Sequence, residues 1–409
     1  MSPFAPRAAS GRGKASQRTA RAALLERLGL RELASDRPPS RGTLYALAFQ
    51  HAFFAVVPVL FTAYMVYFAA SRHSFALDYH YAFWPAGQQV LHGLTPYVRP
   101  DSTQVGAGVA FVYPAVGAVL FGALALIPHG LAGAVFAAAN LIAVLAALRV
   151  LGVRDWRLYG LVALMPAVIS GWQTANVTLL LVLGMACAWR NRDHPLAAGA
   201  LVAVMVSVKL FLWPLGLWLL VTRRYAALAW TIGLGLLMNT LAWGILGFQQ
   251  LHRYGQLVYA VGRAEERTAY TLIGLGMHMG AGHQAANALG LAVAAIAALA
   301  CVVAGRRGND QSALLLGIAV GLLATPIVWR HYFALLIVPL AIARPRFSAV
   351  WLLPLALYAC PVTNPATWQL LTALGSCAAV LGVLLRRSAE PPPLPALPTQ
   401  RPRRLSSAT

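Results

Sequence analysis

Apolar stretches of about 20 residues, the length a helix needs to cross the hydrocarbon core of a bilayer, recur along this chain from Leu44 to Leu385. Inside a bilayer no water pairs with stray backbone N–H and C=O groups, so such stretches fold as helices or as strands of a closed barrel. Here polar and apolar residues do not alternate with a period of two, which is the mark of a lipid-facing barrel strand. The expected fold is therefore an all-α integral membrane protein, a polytopic helical bundle of roughly 10–13 spans. Composition agrees. Charged residues make up 11% of the 409, against about 25% in a soluble domain.

The formal net charge of +21 raises the question of nucleic acid, and its distribution answers it. Basic residues gather before the first apolar run, in short loops and after the last run. That is the positive-inside pattern of a membrane protein, so the bilayer is the expected partner and nucleic acid is not. Residues 1–43 are expected to be a basic cytoplasmic arm, too long and polar for a secretory signal. Residues 44–387 form the transmembrane domain, and the Pro/Arg-rich 388–409 a cytoplasmic tail without fixed structure. Cys187, Cys301, Cys360 and Cys377 stand singly in apolar runs and read as packing residues, not as a disulfide framework.

Basic punctuation assigns the inside loops: Arg190 to His194, Arg223-Arg224, Arg306-Arg307, Arg344 to Arg346 and Arg386-Arg387. Between them the chain must go out and return. Residues 195–222 form a hairpin with Lys209 near its apex, and residues 308–343 another, tipped by Trp329, Arg330 and His331. The first span, about Leu44 to Ala70, delivers residues 71–110 outside, with short interfacial helices. A second outer loop runs from about Phe248 to Gln284. One stretch conflicts with the scheme. Residues 111–127 and 130–148 read as two spans, which would put Arg149, Arg154 and Arg157 outside. A single broken crossing over 158–189, interrupted at Ser170 to Asn176, offers one escape.

With eleven acidic residues in the whole chain, chemistry at the outer face has few candidates. Asp78 heads the aromatic stretch Asp78-Tyr79-His80-Tyr81. A carboxylate partly desolvated among rings suits a general base; an aspartate at a helix start is equally a cap without chemistry. Lys209 is one of two lysines, the other being Lys14. An ammonium at mid-membrane costs about 2.5–3.5 kcal/mol, so it either binds a phosphate or snorkels to the interface. Arg330 and His331, between Trp329 and Tyr332, suit a phosphate leaving group; the same four residues could anchor an aromatic belt. Gln173 and Asn176 could bind sugar hydroxyls or tie helices together. Glu265-Glu266 with Arg263 and Arg267 reads as a solvated charge run. No HExxH or DxD pattern occurs and His73, His92, His252, His278 and His283 lack ligand spacing, so neither metal nor cofactor is expected.

The order of these elements resembles glycosyltransferase family 87. Asp78-Tyr79 and Tyr81 follow the first span, then Gly93 and Pro96-Tyr97, then Tyr113-Pro114. After these come a Gly/Gln/Asn element (Gly171, Gln173, Asn176), Lys209 ahead of Pro214, and late Trp329 with His331-Tyr332. In this chain Gly171 and Gln173 are separated, Asn176 falls one place late, Leu210 follows the lysine, and Arg330 interrupts the last cluster. The resemblance covers about residues 44–345. It implies a GT-C fold and inverting transfer of a sugar, most often mannose, from a polyprenyl-phosphate donor to a glycolipid or polysaccharide acceptor. The site would face away from the cytoplasm, across the plasma membrane. It further implies Asp78 as base, Lys209, Arg330 and His331 at the donor phosphate, and Tyr81, Tyr97, Gln173, Asn176, Trp329 and Tyr332 around the substrate. A transporter or flippase is the competing reading. It calls for inverted repeats, and none is evident in the sequence.

Overall fold

A computed structural model describes residues 40–362 and 364–388. The expected basic arm, apart from its last residues, and the expected tail lie outside them. Among the described residues 77% are helical and none is in a strand. Among the described residues, five helices are long and apolar enough to cross a membrane. They are α1 (Arg41–Ser71), α4 (His129–Val150), α10 (Tyr225–Leu246), α13 (His283–Arg306) and α16 (Thr367–Ser388).

Between these run shorter helices. Trp84–Leu91 (α2) and Ala115–Leu124 (α3) lie between α1 and α4. Trp156–Ala163 (α5), Pro166–Gln173 (α6), Thr178–Arg190 (α7), Pro195–Val208 (α8) and Pro214–Val221 (α9) fill the stretch before α10. Gln250–Glu265 (α11) and Leu272–His278 (α12) precede α13, and Asp310–Ala324 (α14) and Ile337–Ala343 (α15) follow it. Proline opens α6, α8 and α9 at the first turn, where its missing N–H is not needed. Tight 3-10 coils, Arg330–Leu336 and Ala349–Ala359, complete two of the short legs.

The short legs meet in pairs whose tips lie at one end of the bundle. Helices α6 and α7 are bent by 117° across 174–177. The break expected at Ser170 to Asn176 is thus a turn back toward the starting end. The α8–α9 hairpin turns at Lys209, as the sequence suggested. All the basic loops lie at the other end. There Asp155 accepts from the backbone N–H of Phe347 (2.9 Å), and Asp310 joins Arg192 and Arg224.

The conflict over residues 111–148 resolves here. The stretch read as a span over 111–127 does not cross. Helix α3 is ten residues long, about 15 Å, and both of its flanks return to the Asp78 segment. Tyr113 before it reaches Asn176 (3.1 Å). After it, Ala125 and Ile127 accept from Gln88 (2.7 Å) and Trp84 (3.4 Å), and His129 meets His80 (2.9 Å). Six of its ten residues are buried, with Phe121 packed between Phe83 and Phe136 beside α2. Consequently α4 starts at the Asp78 end, and Arg149, Arg154 and Arg157 fall with the other arginines.

Candidate active site

Two strained turns bring the acid and the amide together. Ala76 and Ala175 adopt left-handed backbone (φ 53° each), a conformation that costs about 1–2 kcal/mol without glycine and clusters at functional sites. Backbone bonds lash the turns to each other: Ala76 N–H to Gln173 C=O (2.7 Å) and Asp78 N–H to Thr174 C=O (3.0 Å). Asp78 makes no side-chain capping bond to the helix it begins, so the capping reading falls. Instead its Oδ2 accepts from Asn176 Nδ2 at 2.5 Å.

Asn176 is the hub. Its amide also donates to Tyr113 Oη (3.1 Å). Its Oδ1 accepts from the N–H and hydroxyl of Thr178 (3.2 and 2.8 Å) and from Lys209 Nζ (3.2 Å). With acceptors on one side and donors on the other, only one orientation of the amide satisfies the network. Lys209 donates further to Thr178 Oγ1 (3.0 Å) and lies 3.7 Å from the centroid of the Tyr332 ring. Lys209 is 6% exposed and its ammonium is bonded inward, so it does not snorkel. Two hydrogen bonds and an aromatic face offset the cost of burying it.

Tyr332 stacks on Phe211 (4.9 Å, 8°), which fixes the late cluster against the α8–α9 turn. His331 is buried beside it, and its Nε2 has no hydrogen-bond partner. Their burial excludes the belt-anchor reading for His331 and Tyr332. A buried polar atom left unpaired costs about 1–3 kcal/mol, so this ring nitrogen is available to a polar ligand group. Arg330 reaches the Cys360 turn: it donates to the Cys360 carbonyl (2.9 Å), and its Nε is also unpartnered.

The remaining sequence candidates divide. Gln173 is half-buried at the same turn, and Trp329 is half-buried one residue before Arg330. Tyr81 is 56% exposed and stands apart from the hub. Tyr97 is buried, with its hydroxyl spent on the Tyr113 carbonyl (3.1 Å) and its ring against Trp243. The sequence reading missed Thr178 and Tyr113 as members of the network. A hydroxyl two places after Asn176 was the one available signal for Thr178.

The site is recessed. Ser207, two residues before Lys209, accepts from Asn239 of α10 (2.9 Å). Asn239 stands two turns short of the end of α10 at Leu246, so Ser207 lies about 10 Å below that end, with Lys209 at the turn just above it. Burial pushes the Asp78 carboxyl above the usual carboxylate range, and the Asn176 bond and the Lys209 charge offset this only in part. The loop around Glu266 corrects one expectation. Glu266 is buried, not solvated, with its carboxylate on His283 Nδ1 (2.6 Å) and Arg263 (3.2 Å). Nearby, Tyr270 N–H bonds the Val328 carbonyl (2.8 Å), which joins that loop to the His331 turn.

A helical membrane bundle that holds a carboxylate and an ammonium on either side of one amide, in a recess at the end away from its basic loops, belongs to the class of membrane-embedded enzymes. The model of glycosyltransferase family 87 matches residues 111–326; the chain belongs to that family and is a glycosyltransferase. The matched stretch carries Tyr113, Asn176, Thr178 and Lys209, with Asp78 before it and His331 just after it. No curated protein and no solved structure matches the chain.

Proposed function

We propose that this glycosyltransferase moves a sugar, mannose first among the candidates, from a polyprenyl-phosphate donor to a glycolipid or polysaccharide acceptor. Transfer takes place at the outer face of the plasma membrane, with inversion, on a GT-C-type scaffold. The observation that carries the reading is the Asp78–Asn176–Lys209 array beside the unpartnered His331 nitrogen. It holds a carboxylate and an ammonium on opposite sides of one fixed amide, which supports a base beside a phosphate site.

In this account Asp78 takes the proton of the acceptor hydroxyl as that oxygen attacks the anomeric carbon. The bond from that carbon to the phosphate oxygen breaks, and the lipid phosphate leaves with the electron pair. Lys209 and His331 meet the developing charge in a site of low dielectric, where such contacts are strongest. Arg330 adds positive charge from beside His331. Asn176 holds acid and cation apart so that they do not collapse into an ion pair. Gln173, Trp329 and Tyr332 border the sugar, Tyr81 meets the acceptor from the exposed side, and Tyr97 supports Tyr113 from behind. The recess suits a donor whose phosphate reaches the site from the bilayer while its prenyl chain stays among the helices.

The test is incubation of membranes containing the protein with labelled polyprenyl-phosphate sugars, followed by separation of the products. Transfer by the wild type and none by Asp78→Asn, with equal insertion, is the expected result. Movement of the donor across the membrane without a new glycosidic bond would instead establish the flippase reading.

A further inference from the structure

The end of the bundle opposite the active site carries a second charged constellation that transfer does not use. A cleft of about 290 Å³ opens there between the lower ends of α9, α13 and α14. Thr222, Arg223, Arg224, Arg306, Gly308 and Asp310 line it. Asp310 is the one acid among these, and it is already neutralised. It accepts from Arg224 (2.9 and 2.8 Å), from Arg192 (3.1 Å) and from the indole of Trp218 (2.7 Å). Arg223 and Arg306 are exposed and pair with no carboxylate among the described residues. Two guanidiniums thus face a cleft whose acid is spent. Gly305 lets α13 close onto Val221 of α9, where a β-carbon would collide with the Val221 side chain and carbonyl. Gly308, with φ +73°, leaves open space at the mouth.

We propose that this cleft binds the phosphate headgroup of an anionic phospholipid in the leaflet facing the basic loops. Guanidinium groups recognise phosphate oxygens in paired fashion, and basic pockets between helices at this level are suited to acidic headgroups. The volume admits a headgroup and not a whole lipid, whose chains would lie along the exposed apolar faces of α10 and α13. Depth argues for a lipid over a free anion. Half-buried Trp189 carries Arg192 over its face at 4.4 Å, and tryptophan gathers at headgroup level. Occupancy would tie together the lower ends of α9 and α14, whose upper ends lead to Lys209 and His331.

The test is thermal unfolding of the purified full chain in zwitterionic lipid nanodiscs with increasing phosphatidylglycerol. The wild type should gain several degrees and saturate, as a ligand that binds only the folded state requires. The double variant Arg223→Gln/Arg306→Gln should lose most of that gain. Arg149→Gln/Arg154→Gln, two exposed arginines at the same end but outside the cleft, should keep it. Equal loss in both pairs would reduce the effect to general surface charge and overturn the proposal, as would an undiminished gain in the first pair. Should inorganic phosphate alone reproduce the saturating shift, the occupant is a free anion and the lipid assignment fails. If the double variant does not fold, Arg306→Gln alone carries the same expectation at about half the amplitude.

Discussion

Lys209 donates to the same Asn176 side chain that donates to Asp78, at 3.2 and 2.5 Å, so one amide orders both charges of the site. Asn176→Ala should therefore impair transfer by a hundredfold or more without removing either charged group. Each partner loses a bond worth about 1–3 kcal/mol, and the protein should unfold several degrees lower. Parallel turnover and melting measurements check both halves.

The pH dependence follows from the burial of Asp78. A base acts only when ionised, and burial raises its proton affinity above the ordinary carboxylate value, which is about 3.9. The acid limb of kcat/KM should accordingly lie above pH ~4, with activity lost as pH falls through it. The stability sign is the reverse. A folded-state pKa above the unfolded one favours the folded state at low pH, and that contribution is lost as pH rises through the folded value. At neutral pH, Asp78→Asn should thus melt no lower than the wild type while transferring no sugar. A lower melting point would mean that Asp78 is mainly structural.

Gly321 of α14 sets the height of the Lys209 turn. A β-carbon there would stand 2.6 Å from the Phe211 carbonyl oxygen, so Gly321→Ala must push the α8–α9 turn away from α14. Overpacking of this kind costs about 1–3 kcal/mol. The expected outcome is a lower melting temperature with a raised KM for the donor, read by titrating donor in the transfer assay.

Tyr97 tests where the site ends. Its hydroxyl is committed to the Tyr113 carbonyl, so Tyr97→Phe should cost about 1 kcal/mol of stability and leave KM for both substrates within twofold. A tenfold rise in KM would return Tyr97 to the substrate.

How much of this was legible follows from charge scarcity. In a chain so poor in charge, Asp78, Lys209 and His331 stand out against apolar sequence, and the structure gathers them around one network. Asn176 stood out for the same reason. Thr178 does not, because a threonine in a helix-rich membrane chain is ordinary, and Tyr113 stands out only within Tyr113-Pro114, which names no partner for it. Helix α3 was read as a span because residues 111–127 are apolar at nearly crossing length; hydropathy does not distinguish burial against α2 from burial in lipid. Glu266 looked solvated because its partner His283 lies 17 residues further on, across the α12 turn, a pairing that spacing does not reveal.

The most direct measurement separates donor binding from turnover in two variants. Purified Asp78→Asn should bind a polyprenyl phosphate with wild-type affinity and transfer no sugar. Lys209→Gln should lose binding by tenfold or more, and transfer with it. If Asp78→Asn turns over at the wild-type rate, or Lys209→Gln binds the lipid phosphate as tightly as the wild type, then acid and cation do not serve one reaction across Asn176.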